Sequence, residues 1–385
     1  MKNNIDKRKI LHVIPGLGHG GAEGVLYRLV TNSCHLYQHK VIVFMDEGKY
    51  GSLLNEKGVE VTYLRLKQNR FNLAAFINIC KEMKSFDPDL VQTWMYHADL
   101  IGGLCAKFSG VRHVVWGIRQ TKLTFKSNKL TTILISRLCA ILSRVVPSGI
   151  VACAEKAKDA HVDIGYKNNI TVIQNGYDLS FLYQSELLKV EYRKENNIDD
   201  DTILLGFVAR FHPQKDHFNL LSAIKEIVKE NRKIKFKLIL VGHGCDIDNE
   251  ELINKISNFK LTDYIVLAGK NSNINKVMNG IDVHVLSSRV EGFPNVIAEA
   301  MACGTPCVST DVGDAKAIIE DTGWVVEPEN SRLLSIAILN AMTEINDPLN
   351  WIKRQNKCQE LIRNNYALPI MVEKYEKVWN SIIGD

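Results

Sequence analysis

The sequence predicts an α/β protein of two doubly wound parallel-sheet domains in series. Three observations carry that expectation. Short β-branched runs alternate with amphipathic helical stretches, and the whole alternation occurs twice. A chain of 385 residues is too long for one compact core. A polar, weakly periodic stretch at about 185–201 separates the two series. Strictly alternating βα units build parallel sheets covered by helices on both faces. Two such sheets in series are expected to face each other across a cleft.

In the first half the expected strands are 9–14, 40–44, 60–64, 90–93, 113–116, 149–152 and 170–173, with helices such as 73–83 and 130–145 between them. In the second they are 202–209, 236–241, 264–267, 283–286, 306–309 and 324–326, followed from about 333 by helix alone. The expected division is a first domain over 1–178, a linker over 179–201, a second domain over 202–365 and a last helix over 366–385. That helix could pack back on either domain.

Composition narrows the class. Hydrophobic residues at 46% and charged ones at 24% describe an ordinary globular protein. The 9 Cys are scattered from Cys34 to Cys358 without a C-x-x-C pair, which fits reduced thiols better than a disulfide framework. Residues 1–9 are polar, unlike a secretory leader, and no uninterrupted apolar run reaches the length of a membrane span. The expectation is a protein of the cytoplasm.

The net charge of +5 hides an asymmetry. Residues 1–178 hold 24 Lys and Arg against 14 Asp and Glu, a balance of +10, and the remainder is at −5. The first half is therefore expected to meet something anionic. No zinc-finger spacing, RNP sequence or basic heptad supports nucleic acid, and a phospholipid surface remains. The stretch 130–146 bears on this. Ile133, Leu134, Leu138, Ile141, Leu142 and Val145 make a wide apolar face beside a polar stripe of Thr132, Ser136, Arg137, Ser143 and Arg144, preceded by Lys122, Lys126 and Lys129. The plainer reading is a mostly buried helix with a solvated edge; the alternative is an interfacial helix on anionic lipid.

In open parallel sheets ligands bind beyond the carboxyl ends of the strands, so candidate residues are sought there. In the first half, Pro15-Gly16-Leu17-Gly18-His19-Gly20-Gly21 follows the first strand. Gly16, Gly18 and Gly21 spell G-x-G-x-x-G, and Asp46 ends the next strand, so an NAD-dependent oxidoreductase is a rival reading. A tight turn that needs small residues is another. We favour a loop whose Gly20 and Gly21 let the backbone approach a phosphate of a different nucleotide ligand. His97 opens the helix after 90–93, and Arg119 follows 113–116 on the same rim, where it could meet a negative substrate. Asp87-Pro88-Asp89 has a D-x-D look but precedes its strand, which places it at the opposite edge.

In the second half, Arg210 and Lys215 leave the strand 202–209 on one turn and can place a forked and a point cation on a diphosphate. Gly242 and Gly269 end the next two strands and suit close approach to a flat base. Glu291-Gly292-Phe293-Pro294-Asn295-Val296-Ile297-Ala298-Glu299 follows the strand 283–286 and opens a helix, so that Glu291 and Glu299 can face one ligand. Asp246 and Asp248 lie on a usable edge for a metal but read as the cap of the next helix.

Together these elements resemble family 4 of the retaining GT-B glycosyltransferases, over nearly the whole chain. The matching parts are Gly20-Gly21, His97, Arg210 with Lys215, Glu291 with Glu299, and Val172-Ile173-Gln174-Asn175-Gly176-Tyr177-Asp178, where Gln174 and Tyr177 depart from the family's Pro-Asn-Gly-Ile/Val-Asp. The resemblance implies that Glu299 accepts from ribose hydroxyls and that Arg210 and Lys215 hold the diphosphate. Glu291 would contact donor-sugar hydroxyls, with backbone contacts from Phe293, Pro294, Asn295 and Val296. His97 would contact the donor sugar from the first domain, and Gly20-Gly21 would approach the phosphate. It implies retention by front-face substitution, with no protein nucleophile, no cofactor and no metal. The stretch 94–103 with Trp116-Gly117-Ile118-Arg119 is similar to members acting on lipid-linked oligosaccharides in O-antigen and capsule assembly. The expected partners are a UDP-sugar donor bound by the second domain, a polyprenyl-diphosphate-linked acceptor on the first, and the inner face of the cytoplasmic membrane. A UDP-sugar epimerase of the same architecture and a non-catalytic sugar-nucleotide sensor are the remaining alternatives.

Overall fold

The computed structural model describes residues 7–18, 20–66, 72–121, 130–167, 169–230 and 234–384. Lys122, Lys126 and Lys129 lie outside the described residues. The chain divides into two compact units: Met1–Gly176 with Leu368–Asp385, and Tyr177–Ala367.

Among the described residues, the first unit holds β1 (Arg8–Ile14), β2 (Tyr37–Val43), β3 (Glu60–Tyr63), β4 (Leu90–Thr93), β5 (His113–Ile118), β6 (Gly149–Ala152) and β7 (Ile170–Val172). They form one sheet in the order β3-β2-β1-β4-β5-β6-β7, and every pairing is parallel. The interior strands read as nearly continuous apolar runs because helices cover both faces. Those helices are α1 (Gly21–Ser33), α2 (Gly48–Glu56), α3 (Leu73–Phe86), α4 (Tyr96–Phe108), α5 (Leu130–Leu142) and α6 (Glu155–Asp163).

The second unit opens with α7 (Glu186–Glu195). Its sheet follows the order β10-β9-β8-β11-β12-β13, where β8 is Ile203–Val208, β9 Phe236–Val241, β10 Ile265–Gly269, β11 Val283–Leu286, β12 Cys307–Thr310 and β13 Trp324–Val326. Its other helices are α8 (His217–Lys229), α9 (Glu250–Asn258), α10 (Ile274–Gly280), α11 (Asn295–Ala302), α12 (Ala315–Ile319), α13 (Ser331–Glu344) and α14 (Pro348–Asn365). The chain ends in α15 (Leu368–Ile383). The doubly wound architecture is as the alternation predicts.

Two details depart from the sequence expectations, and one that they left open is decided. The stretch 179–201, expected as a linker, carries α7, which packs on α10 as part of the second unit. It reads as polar because ion pairs help to hold it: buried Arg193 reaches Asp282 at 3.0 Å, and Lys276 reaches Glu191 and Glu195. The last helix returns to the first unit, where Tyr375 and Trp379 join the core with Ile10, Leu26 and Trp94. Trp379 Nε1 donates to Gln92 Oε1 on β4 at 3.2 Å.

The second departure is α5. Its buried side is Ile133, Ser136, Cys139 and Ala140, and the two serines Ser136 and Ser143 turn inward, each donating to a backbone carbonyl three residues earlier. Leu134, Leu138, Ile141 and Val145, expected on a covered face, are exposed together with Leu130. A serine satisfied by its own helix can pack against α4, leaving the large side chains outside. Among the described residues, no helix is long and apolar enough to cross a membrane.

Candidate functional site

The strand order of each sheet reverses at one strand. In the first, β1 is flanked by β2 and β4; in the second, β8 is flanked by β9 and β11. Loops leaving the two central strands go to opposite faces, and a crevice opens at their carboxyl ends. The loops after β8 and β11 carry Arg210, Lys215 and Glu291, and those after β1 and β4, with the helix starts they lead into, carry Gly20, Gly21 and His97. Topology thus gathers, within each unit, residues far apart in sequence.

In the second unit, Arg210 leaves β8 exposed to solvent. A single 3-10 turn, Pro213–Lys215, follows and is capped by His212 Nδ1. Lys215 Nζ meets Glu291 Oε1 at 2.5 Å, and Ser288 Oγ donates to the same oxygen at 2.6 Å. Phe293 and Pro294 are buried, the phenyl ring 5.9 Å from Tyr366. Pro294 stands at the cap position of α11 and makes no side-chain cap bond to it. Asn295 Oδ1 accepts from Tyr177 Oη at 2.6 Å. Val296 and Glu299 are half-buried on α11.

Gly242 directly follows β9 with φ +151°, and a side chain there would strike the Ala209 carbonyl. Its N–H donates to Gly269 O at 2.7 Å. This glycine lets the end of β9 lie against the backbone that leads into Arg210. Burial, with the charge of Glu299, pushes the Cys303 thiol up to about 12, and burial with Asp246 does the same for Cys245. Neither is a thiolate near neutral pH. Asp246 and Asp248 do not cap α9; Asn249 does, accepting from Leu252 N. Asp246 Oδ1 instead accepts from Asp248 N within the preceding turn.

In the first unit, Gly20 stands at the start of α1 and Gly21 is its first residue. A side chain at Gly20 would run into the Glu23 carboxylate. Burial raises the pKa of Glu23, against the pull of its own backbone N–H and of Arg119. An acid three residues past a helix cap is a recognisable sequence signal, and Glu23 could have been found by it. His97 is half-buried on the first turn of α4, and burial lowers its pKa, which keeps it neutral near pH 7. Met95, before it, has φ +71° and ψ 156°, and its N–H donates to Gly117 O at 2.9 Å.

Arg119 is more engaged than a free rim cation. Its guanidinium lies 4.5 Å over the Trp94 ring, Nη1 donates to Asn175 Oδ1 at 2.9 Å and Nη2 to Tyr375 Oη at 2.7 Å. Asp87 and Asp89 lie at the opposite edge, where Asp89 Oδ2 accepts from Lys9 N at the start of the sheet.

The structure therefore places Arg210, Lys215, Gly242, Gly269, Glu291, Phe293, Pro294, Asn295, Val296 and Glu299 along the carboxyl edge of the second sheet. It places Gly20, Gly21, His97 and Arg119 along that of the first. Among them, Lys215 and Glu291 form an ion pair. Sequence reasoning passed over Glu23, Asp216, Ser288 and Arg289, and gave Tyr177 only as a departure from a motif.

Comparison with known proteins gives the family and the fold. Residues 19–181 match the family described as Glycosyltransferase Family 4, and residues 189–358 match Glycosyl transferases group 1. A protein of Bacillus subtilis described as putative glycosyltransferase EpsF is 28% identical, over 80% of each chain. An Escherichia coli UDP-Gal:alpha-D-GlcNAc-diphosphoundecaprenol alpha-1,3-galactosyltransferase is 22% identical, over 81% of this chain and 80% of its own. The crystal structure of HepE from Anabaena in complex with UDP and glucose superposes with a TM-score of 0.83 at 20% identity, covering 97% of this chain and 100% of that one.

Proposed function

The chain belongs to the glycosyltransferases that join a family 4 domain to a group 1 domain in the GT-B fold, and from that premise we propose its reaction. It transfers a sugar from a UDP-sugar to a hydroxyl of a polyprenyl-diphosphate-linked glycan, with retention of anomeric configuration, in assembly of a bacterial surface polysaccharide. The observation that carries this reading is the meeting of Lys215 and Glu291 at the reversal point of the second sheet, with Arg210 on one loop and Glu299 on the helix behind the other.

In this reading Arg210 and Lys215 take the diphosphate. Charged hydrogen bonds are worth about 1.5–3 kcal/mol each, and they act most strongly where the leaving group gains charge. Glu299 accepts from the ribose hydroxyls and Glu291 from those of the donor sugar, while Gly269 leaves room for the base. His97, held neutral by burial, can accept or donate a hydrogen bond to the sugar. The bond from the anomeric carbon to the diphosphate oxygen breaks. The acceptor oxygen bonds to that carbon on the same face, and its proton passes to the departing phosphate. The acidic side chains at this edge are committed to binding, so none is asked to act as nucleophile.

The acceptor side falls to the first unit, which is basic overall, with Arg119 on its rim. The Escherichia coli relative is named for a diphosphoundecaprenol acceptor. The exposed row Leu130, Leu134, Leu138, Ile141 and Val145 supports peripheral contact with an anionic membrane, where such a lipid-linked acceptor sits.

Calorimetric titration with UDP and GDP tests the donor side. UDP binding that Glu299→Ala abolishes is expected, and a protein indifferent to both nucleotides overturns the donor assignment. The anomeric coupling constant of the product, read by NMR, tests retention; an inverted product refutes it.

A further inference from the structure

Two ion pairs run between the loop after β8 and the loop after β11, with opposite polarity. Lys215 of the first loop meets Glu291 of the second. The next residue of the first loop, Asp216, is held by Arg289 of the second. The guanidinium forks the carboxylate, Nε to Oδ2 at 2.7 Å and Nη2 to Oδ1 at 3.1 Å. The Asp216 side chain is 3% exposed and that of Arg289 46%, with Glu329 3.3 Å from Nε on the outer side.

The backbones are tied around this fork. Arg289 N donates to Gln214 O at 2.8 Å. Ser287 Oγ lies 3.0 Å from the carbonyl oxygens of both Lys215 and Asp216. Asp216 itself stands in the left-handed region at φ +51° and accepts from Asn219 N as the cap of α8. A non-glycine residue keeps that conformation only where its surroundings hold it.

We propose that Arg289 is a positioning residue for the donor loop, one that occupies the Asp216 carboxylate so that Lys215 faces Glu291 and the donor. This rests on the reading of Lys215 as a diphosphate contact. Asp216 is the carboxylate next to Lys215 in the chain, and it is buried. Without a counter-charge it becomes the anion that competes best for the lysine. Arg suits the task because its planar fork matches a carboxylate in one orientation, whereas Lys is a point charge on a flexible stem. The fork does the holding, and the lysine stays free to exchange Glu291 for an incoming phosphate.

The test compares wild type with Arg289→Ala, Arg289→Lys and the double variant Arg289→Met with Asp216→Asn. UDP affinity is read by calorimetry, donor KM and kcat by assay, and folding by thermal melting. Arg289→Ala is expected to weaken UDP by about tenfold or more, the size of one charged hydrogen bond, and to raise donor KM more than it lowers kcat. Arg289→Lys, which keeps the charge without the fork, recovers part of the affinity and serves if the alanine variant does not fold. The double variant removes the competing carboxylate, keeps a helix-capping side chain and recovers most of the affinity. UDP binding in Arg289→Ala within about twofold of wild type would overturn the proposal. So would a double variant as weak as the single one, which would leave no competition to relieve. A wild type that binds neither UDP nor GDP overturns the donor reading itself, and this inference with it.

Discussion

Lys215 Nζ lies 2.5 Å from Glu291 Oε1, although 76 residues separate them in the chain. The cation assigned to the diphosphate and the carboxylate assigned to the sugar are thus already paired. A donor has to share or displace that contact. Glu291→Gln keeps the shape and removes the competing charge. We expect UDP affinity to hold or rise, while transfer falls by about a hundredfold or more as a donor-sugar contact is lost. Calorimetry and a turnover assay on one preparation decide it, and weakened UDP binding would show that Glu291 supports the phosphate site instead.

Lys215→Ala should lower kcat by about two to three orders of magnitude and leave the melting temperature nearly unchanged. The side chain lies at the sheet's edge, 22% exposed, and its removal leaves Glu291 still hydrogen-bonded by Ser288. Near-normal turnover would remove Lys215 from the diphosphate site.

The exposed row on α5 makes a membrane prediction. At 3.6 residues per turn, Leu130, Leu134, Leu138 and Ile141 fall within an arc of about 80°, Arg137 borders it, and Arg144 and exposed Val145 follow in the turn after the helix. Residues 100–154 contain 8 Lys and Arg and no Asp or Glu. The protein is expected to sediment with phosphatidylglycerol vesicles, less so at high salt, and not with phosphatidylcholine. Replacing Leu134 and Ile141 together by Gln should cut vesicle binding about tenfold or more, since each buried aliphatic side chain contributes about 1.5–3 kcal/mol. Unchanged binding would move the contact elsewhere.

A buried relay in the first unit sets an acid limit. Trp94 Nε1 donates to His12 Nδ1 at 3.3 Å, His12 Nε2 meets His39 Nδ1 at 3.0 Å, and His39 Nε2 meets Ser33 Oγ at 2.9 Å. Ser33 Oγ donates to Leu29 O, so one proton per link, all in one direction, satisfies the chain with both rings neutral. Burial, with the neighbouring charge, lowers the pKa of His12 and takes His39 down to about 3. The unfolded histidines accept protons near pH 6.5 and the folded ones do not. Their stabilising share is therefore full above about pH 6.5 and is lost as pH falls toward 3. Buried Asp99, with its pKa raised to about 8 by burial, works the opposite way and is common to wild type and variant. Melting temperatures between pH 7 and 5 should fall more steeply for wild type than for His39→Gln; parallel slopes would discard the relay as the cause.

Met95 stores backbone strain beside His97. Its φ of +71° with ψ 156° is a region used almost only by glycine. We expect Met95→Gly to be more stable than Met95→Ala by about 1 kcal/mol, the reverse of the usual order. Denaturant melts of the two variants test this, and the ordinary order would mean that the turn relaxes without strain.

The fold was legible because it rests on patterns repeated along the chain. The strands 90–93, 149–152, 236–241 and 283–286 agree with the structure to the residue, since continuous apolar runs between helical stretches have few other uses. The line of Arg210, Lys215, Glu291 and Glu299 was legible as loops, and the helix one of them opens, at the carboxyl ends of strands, which local sequence alone marks. Less was legible where a residue's task depends on a partner far away. Arg289 reads as an ordinary exposed arginine until Asp216 is seen beneath it. Tyr177 reads as a departure from a motif until its hydroxyl reaches Asn295.

By itself, the sequence determined the alternation of elements, the two sheets, and which turns carry charge and glycine. Periodicity and turn chemistry are local properties, written in neighbouring residues. Tertiary structure alone decided that α7 belongs to the second unit and α15 to the first, that the serines of α5 turn inward and its leucines outward, and that Lys215 and Asp216 find opposite partners on one loop. Each depends on which surface or charge a side chain meets across tens or hundreds of residues. Burial and Coulomb energy act on distance in space, and the sequence records only distance along the chain.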